Sequence, residues 1–132
     1  MNQQLSSKDA EQWVIGSIIV EPDSIEKIPC IRHTDFGYPK HQLIFKTIND
    51  MRKNGTPISL ETIKAKLRDK VKETDWIGID DVPTSETVTY WANQVKIAST
   101  RRKLHATLHN ASQDLDREPP ETIMARIKEE LG

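Results

Sequence analysis

His105 and His109 stand four residues apart, and on a helix that spacing lets two imidazoles share a metal ion. No third ligand is evident, although Asp114 and Glu118 follow in the same stretch, so the pair reads as surface histidines rather than a metal site. His33 and His41 flank a loop; His41 is expected to cap or tune the helix that follows. A catalytic role for it would require a positioned nucleophile, which the sequence does not offer. The adjacent carboxylates Asp80-Asp81 and Glu129-Glu130 fit solvated surface better than acid/base work. Cys30, between Pro29 and Ile31, is expected as a small core residue. Asn54-Gly55-Thr56 and Asn110-Ala111-Ser112 match the glycosylation pattern, which matters only in a secreted chain. The best basic cluster is Arg101-Arg102-Lys103 with Lys96 just before it. It reads either as a solvated helix face or as a contact for an acidic partner surface or passing DNA; Glu86, Asp114 and Asp116 dilute its field, which favours a protein partner over tight DNA binding.

ATP hydrolysis through a phosphate loop is excluded on clearer grounds. A nucleotide-hydrolysing loop needs a glycine-rich turn ending in Gly-Lys-Ser or Gly-Lys-Thr. The glycines, Gly16, Gly37, Gly55, Gly78 and Gly132, are isolated, and none precedes such a pair. No catalytic, cofactor-binding or metal site is therefore expected within these residues.

The elements that must position everything else are helical. Ser6, Ser7 and Asp9 offer caps for a first helix reaching about Val20, which Pro22 stops. Asp23 or Ser24 opens a short helix closed by Pro29, and the stretch from Cys30 to Pro39 reads as a loop with one buried aromatic, Phe36. From His41, apolar Leu43, Ile44, Phe45, Ile48 and Met51 recur at helical spacing. Asn54-Gly55 supplies a left-handed stop, Thr56-Pro57 stays extended, and Ser59 caps a helix carrying Leu60, Ile63 and Leu67. Asp69 to Pro83 is a connector that Trp76, Ile77, Ile79 and Val82 are expected to dock onto the core.

Thr84 or Ser85 then caps a long helix whose first stripe is Val88, Trp91, Ala92 and Val95. Ile97, Leu104, Leu108, Ala111 and Leu115 continue it as a seam suited to a partner helix. Asp116 to Pro120 turns the chain, and Ile123, Met124, Ile127 and Leu131 line one face of a returning helix. The expected fold is all-α: a small globular helical bundle over residues 1–83, then a protruding antiparallel hairpin over 84–132. Leu104, Leu108, Ala111 and Leu115 against Ile123, Ile127 and Leu131 are expected first of all to form the hairpin's own interior. Two helices alone leave such residues partly wet, so the hairpin is also expected to pair with another hairpin or dock a partner.

Bulk properties fit this outline. The chain has 132 residues, with 19 basic against 20 acidic, which argues against a broad phosphate-binding face. A single cysteine cannot close an intramolecular disulfide, and the N-terminus lacks the order of a signal peptide. No apolar run approaches the roughly 20 residues that span a bilayer. A reducing, cytoplasmic setting without membrane contact is expected.

Three ordered phrases carry a resemblance. Ala10-Glu11-Gln12 leads into the apolar run Trp13 to Val20 and then Glu21-Pro22-Asp23. His41, Ile44 and Phe45 are followed by Gly55-Thr56-Pro57-Ile58 before Leu60 and Thr62. Tyr90-Trp91-Ala92 with Val95 precedes Arg101-Arg102. Together they make the chain similar to the N-terminal domain of the DnaB-like replicative DNA helicases. That resemblance implies the collar domain of a hexameric helicase, associating through its hairpin and binding primase or a helicase loader while the assembly follows single-stranded DNA. ATP and magnesium would then belong to a C-terminal motor domain absent from this chain, and the end at Leu131-Gly132 suits the start of a linker. It also implies a self-association or partner surface at Arg101, Arg102, Leu104, Leu108, Ala111, Leu115, Ile123 and Ile127. The connector departs from the family: relatives carry a longer segment with a Gly-Gly-aromatic element, for which Trp76 to Gly78 is the nearest counterpart. Two alternatives stay open: the helicase-binding C-terminal domain of a primase, which shares the architecture, and a stand-alone adaptor or decoy of the helicase collar.

Overall fold

A computed structural model of the chain describes residues 8–132. Among these residues every regular element is helical. Helix α1 spans Lys8–Val20, α2 Pro39–Lys53, α3 Leu60–Lys66, α4 Val88–Asp114 and α5 Pro120–Leu131, with short 3-10 turns at Pro22–Lys27, His33–Asp35 and Glu73–Trp76. The expected caps Ser6 and Ser7 lie outside the described residues. The chain divides into two compact units, the first reaching Ala98 and the second running from Ser99 to Gly132. The division falls inside α4 rather than before it, because Val88, Ala92 and Val95 are buried in the core of the first unit.

The first unit is built around α1 and α2. Val14, Ile15 and Ile18 of α1 meet Ile44, Phe45, Ile48 and Met51 of α2 in one cluster, which Phe36, Ile63, Trp76 and Ile79 complete. Phe36 and Phe45 pack with ring centroids 4.9 Å apart. Helix α2 ends as its sequence dictates. Gly55 takes φ of 72°, and the Thr56 amide donates back to the Met51 carbonyl at 2.8 Å, satisfying a carbonyl the helix leaves orphaned. Ser59 then caps α3 in a reciprocal box: the Thr62 amide donates to Ser59 Oγ at 3.2 Å, and the Ser59 amide donates to Thr62 Oγ1 at 2.9 Å.

The connector after α3 docks on α1 through Ile79 and Val82, both buried as is Trp76, whereas Ile77 is exposed. Contact is close because Gly16 presents bare backbone. A Cβ there would collide with the Val82 side chain and come within 2.6 Å of the Ile79 carbonyl oxygen. Cys30, expected in the core, is exposed. Its neighbour Ile28 takes the buried position, and the Cys30 carbonyl accepts from Lys96 Nζ at 3.1 Å.

The second unit is a helix–turn–helix hairpin made of the later part of α4, a turn and α5. The Arg117 and Glu118 amides both donate to the Asp114 carbonyl, each at 3.0 Å, which reverses the chain before Pro119 and Pro120. Pro120 fits at the first position of α5, where a missing N–H costs nothing.

Candidate functional site

Three polar or apolar constellations emerge from this frame. The first explains the Ala10-Glu11-Gln12 phrase. Ala10 is buried, Gln12 donates through Nε2 to the Ile77 carbonyl at 3.0 Å, and Glu11 points fully into the interior. There Glu11 Oε1 lies 2.7 Å from His41 Nδ1, and Oε2 accepts from the Gly37 amide at 2.6 Å. An ionised carboxylate can only accept, so opposite it Nδ1 carries the hydrogen and the imidazole donates. His41 is thus not a cap: Tyr38 holds the cap position before α2 and makes no side-chain capping bond, and the histidine ties α2 to α1 and to the loop between them. A carboxylate–imidazole pair is the orienting half of a catalytic base, but this one is buried on both sides and joins three segments.

The second constellation is basic. Lys96 does not extend the Arg101-Arg102-Lys103 cluster. Its ammonium contacts the Asp35 carboxylate at 3.1 Å within the first unit. Arg101 and Lys103 are exposed, and Arg102 is half-buried and engaged by the fold. His105 and His109 are both exposed, and among the described residues no group of three His, Cys, Asp or Glu side chains is arranged to hold a metal.

The third is the hairpin, where α4 faces α5 through a different line than its leucines. Thr107, Ala111 and Ile123 are buried and Ile127 is half-buried, whereas Leu104, Leu108 and Leu115 are 37%, 57% and 58% exposed. At about 100° per residue the three leucines share one stripe, and Thr107 and Asp114 lie a quarter-turn away from it. Thr107 and Ala111, small and buried beside the stripe, admit α5. An ionic clamp then fixes its side: Arg126 donates to Asp114 at 2.6 Å and also to Glu118, and Arg117 donates to Asp114 at 2.8 Å. These hydrogen bonds, that from Arg126 first, hold the Asp114 carboxyl below the usual carboxylate range and raise the Arg126 guanidinium. The expected interior seam is therefore an outward apolar stripe, and of the eight expected interface residues only Ala111 and Ile123 are fully covered.

The sequence model of the DnaB-like helicase N-terminal domain matches residues 3–97. This chain belongs to that family. Within it, the chain is 30% identical over 118 residues to the replicative DNA helicase DnaB of Geobacillus stearothermophilus, covering 82% of this chain and 26% of the relative. It is 28% identical over 104 residues to the DnaB of Leifsonia xyli, covering 72% and 22%. The chain thus spans about a quarter of the length of these relatives. The fold is that of the N-terminal domain of DnaB helicase from Mycobacterium tuberculosis, with a TM-score of 0.80 at 24% identity over 93% of this chain and 94% of that one. The corresponding domain from Helicobacter pylori, described together with its interactions with primase, aligns at a TM-score of 0.74 and 27% identity over 88% and 94%. The all-α expectation and the DnaB-like resemblance both hold, and the match falls on the helicase side of the helicase–primase alternative.

Among the described residues no helix is long and apolar enough to cross a membrane. Sequence reasoning missed the Glu11–His41 pair and the Asp114–Arg126 clamp. Both join residues far apart in the chain, and neither spacing carries a local signal.

Proposed function

We propose that this chain is the collar domain of a hexameric, DnaB-like replicative helicase, acting in the cytoplasm through subunit association and through docking of primase or a helicase loader. The observation that carries the reading is the outward leucine stripe on the hairpin. Leu104, Leu108 and Leu115 are apolar, aligned and exposed, an arrangement that supports a protein contact there. Arg101 and Arg102 flank its start, and Ala111, Ile123 and Ile127 back it from within the hairpin. Primase docking is supported by the likeness to the H. pylori domain. The motor, its ATP and magnesium, and the track on single-stranded DNA belong in this reading to a C-terminal domain, since these residues carry no phosphate loop.

Sedimentation of the domain tests the association. The wild type is expected to form a concentration-dependent oligomer, and Leu108→Asp to stay monomeric while keeping its helical signal. A wild type that remains monomeric at the highest accessible concentration overturns it. Adding primase or a helicase loader to both proteins reads the docking independently.

A further inference from the structure

Two of the three tryptophans lie at the surface of the first unit, and they touch. The Trp13 ring of α1 stacks on Trp91 of α4 with centroids 5.7 Å apart and planes 24° from parallel. Tyr90 meets Trp91 edge-on at 4.9 Å. Both indoles are half-buried, and Tyr90 is 57% exposed. The rings form one aromatic ledge rather than three isolated exposures. Aromatic groups that are rigid and only partly covered are the side chains that anchor protein contacts.

Four carboxylates lie within a helical turn or so of the ledge's own residues or of the connector packed at Gly16. Asp80 and Asp81 lie between Ile79 and Val82, the residues that press on α1 at Gly16, one turn beyond Trp13. Asp9 precedes Trp13 by one turn of α1, and Glu86 sits in the turn entering α4, four residues before Tyr90. All four are exposed, and none has an ion-pair partner among the described residues. Of the cations on these elements, Lys8 lies over the Tyr38 ring, Lys96 contacts Asp35, and Lys27 lies toward the Thr89 and Asn93 side of α4. Electron-rich ring faces beside unpaired carboxylates suit a guanidinium or ammonium flanked by aliphatic side chains. The same carboxylates repel a phosphate backbone, so nucleic acid is the wrong occupant even though aromatic ledges elsewhere stack bases.

We infer that the Trp13–Tyr90–Trp91 ledge is a docking site for an arginine-bearing, partly apolar segment of a second protein. This site lies within the first unit and does not depend on the hairpin reading. Trp13 and Trp91 report on it directly by fluorescence, while Trp76 is buried and serves as a constant background. The probe is an alternating Arg-Leu peptide, with its Glu-Leu counterpart and an oligothymidylate as comparators. The Arg-Leu peptide is expected to give a saturable emission change that the comparators do not. Tyr90→Ala should weaken it roughly tenfold, as for loss of an aromatic anchor. Asp80→Asn with Asp81→Asn should weaken it too, whereas Asp50→Asn with Asp69→Asn, equal in charge but off the ledge, should not. Binding that survives Tyr90→Ala, falls equally with both charge pairs, or is matched by the oligothymidylate overturns the inference.

Discussion

Glu11 and His41, thirty residues apart in sequence, meet in the interior with Oε1 and Nδ1 separated by 2.7 Å, and the second carboxylate oxygen takes the Gly37 amide. One buried side chain thereby fixes the packing of α1 on α2 and the path of the loop between them.

Removing that carboxylate should be costly. Glu11→Ala leaves the His41 ring and the Gly37 N–H without their acceptor inside the core, and breaking one side of a buried pair costs about 3 kcal/mol. The urea midpoint is expected to fall accordingly. Glu11→Gln should cost less, because its amide oxygen can still accept one of the two hydrogen bonds. A midpoint unmoved by the alanine would show that the pair contributes nothing.

Gly16 is expected to tolerate no side chain. Gly16→Val must push the Ile79–Val82 connector off α1, and overpacking of this kind costs roughly 1–3 kcal/mol. Because Trp76 is anchored by the same connector, its emission should move toward that of a wetter indole. Unchanged emission and stability would mean that the connector does not need this close approach.

Gly55 tests a different cost. Nothing lies within 4 Å of a Cβ there, so Gly55→Ala is penalised only by its φ of 72°, by about 1 kcal/mol. Thermal unfolding reads the difference, and an alanine variant as stable as wild type would show that the turn relaxes.

Acid should act on the hairpin through Asp114. Its folded pKa lies below its unfolded one because Arg126 hydrogen-bonds the carboxylate. The stabilisation is therefore complete above the ordinary aspartate pKa of about 3.9 and is lost as pH falls through the lower folded value. Amide exchange in the turn after Asp114 should speed up below about pH 4 relative to the rest of α4, and Asp114→Asn should remove that dependence. Equal acceleration in both proteins would assign the acid effect to other groups. The clamp is solvent-facing, so the effect should be modest and salt-sensitive.

Much of this molecule is legible in its residues. The stop at Asn54-Gly55, the Ser59–Thr62 box and the proline at the start of α5 are local events, fixed by backbone stereochemistry within a few positions, and the helices lie where those signals put them. The buried faces of α2 and of the start of α4 follow from helical periodicity alone. What periodicity cannot choose is the partner of each face. The stripe Leu104, Leu108 and Leu115 has the spacing of an interior seam, yet α5 approaches on the line of Thr107 and Ala111, where small side chains and the Asp114–Arg126 clamp admit it. Likewise Glu11 is only one letter of the Ala10-Glu11-Gln12 phrase, and Lys96 one member of a basic cluster, until His41 and Asp35 are brought against them. The sequence by itself determined the helices and their ends, because those depend on neighbours along the chain. Only the tertiary structure decided which apolar stripe stays in water and which charges are buried in pairs, because that depends on side chains many residues away.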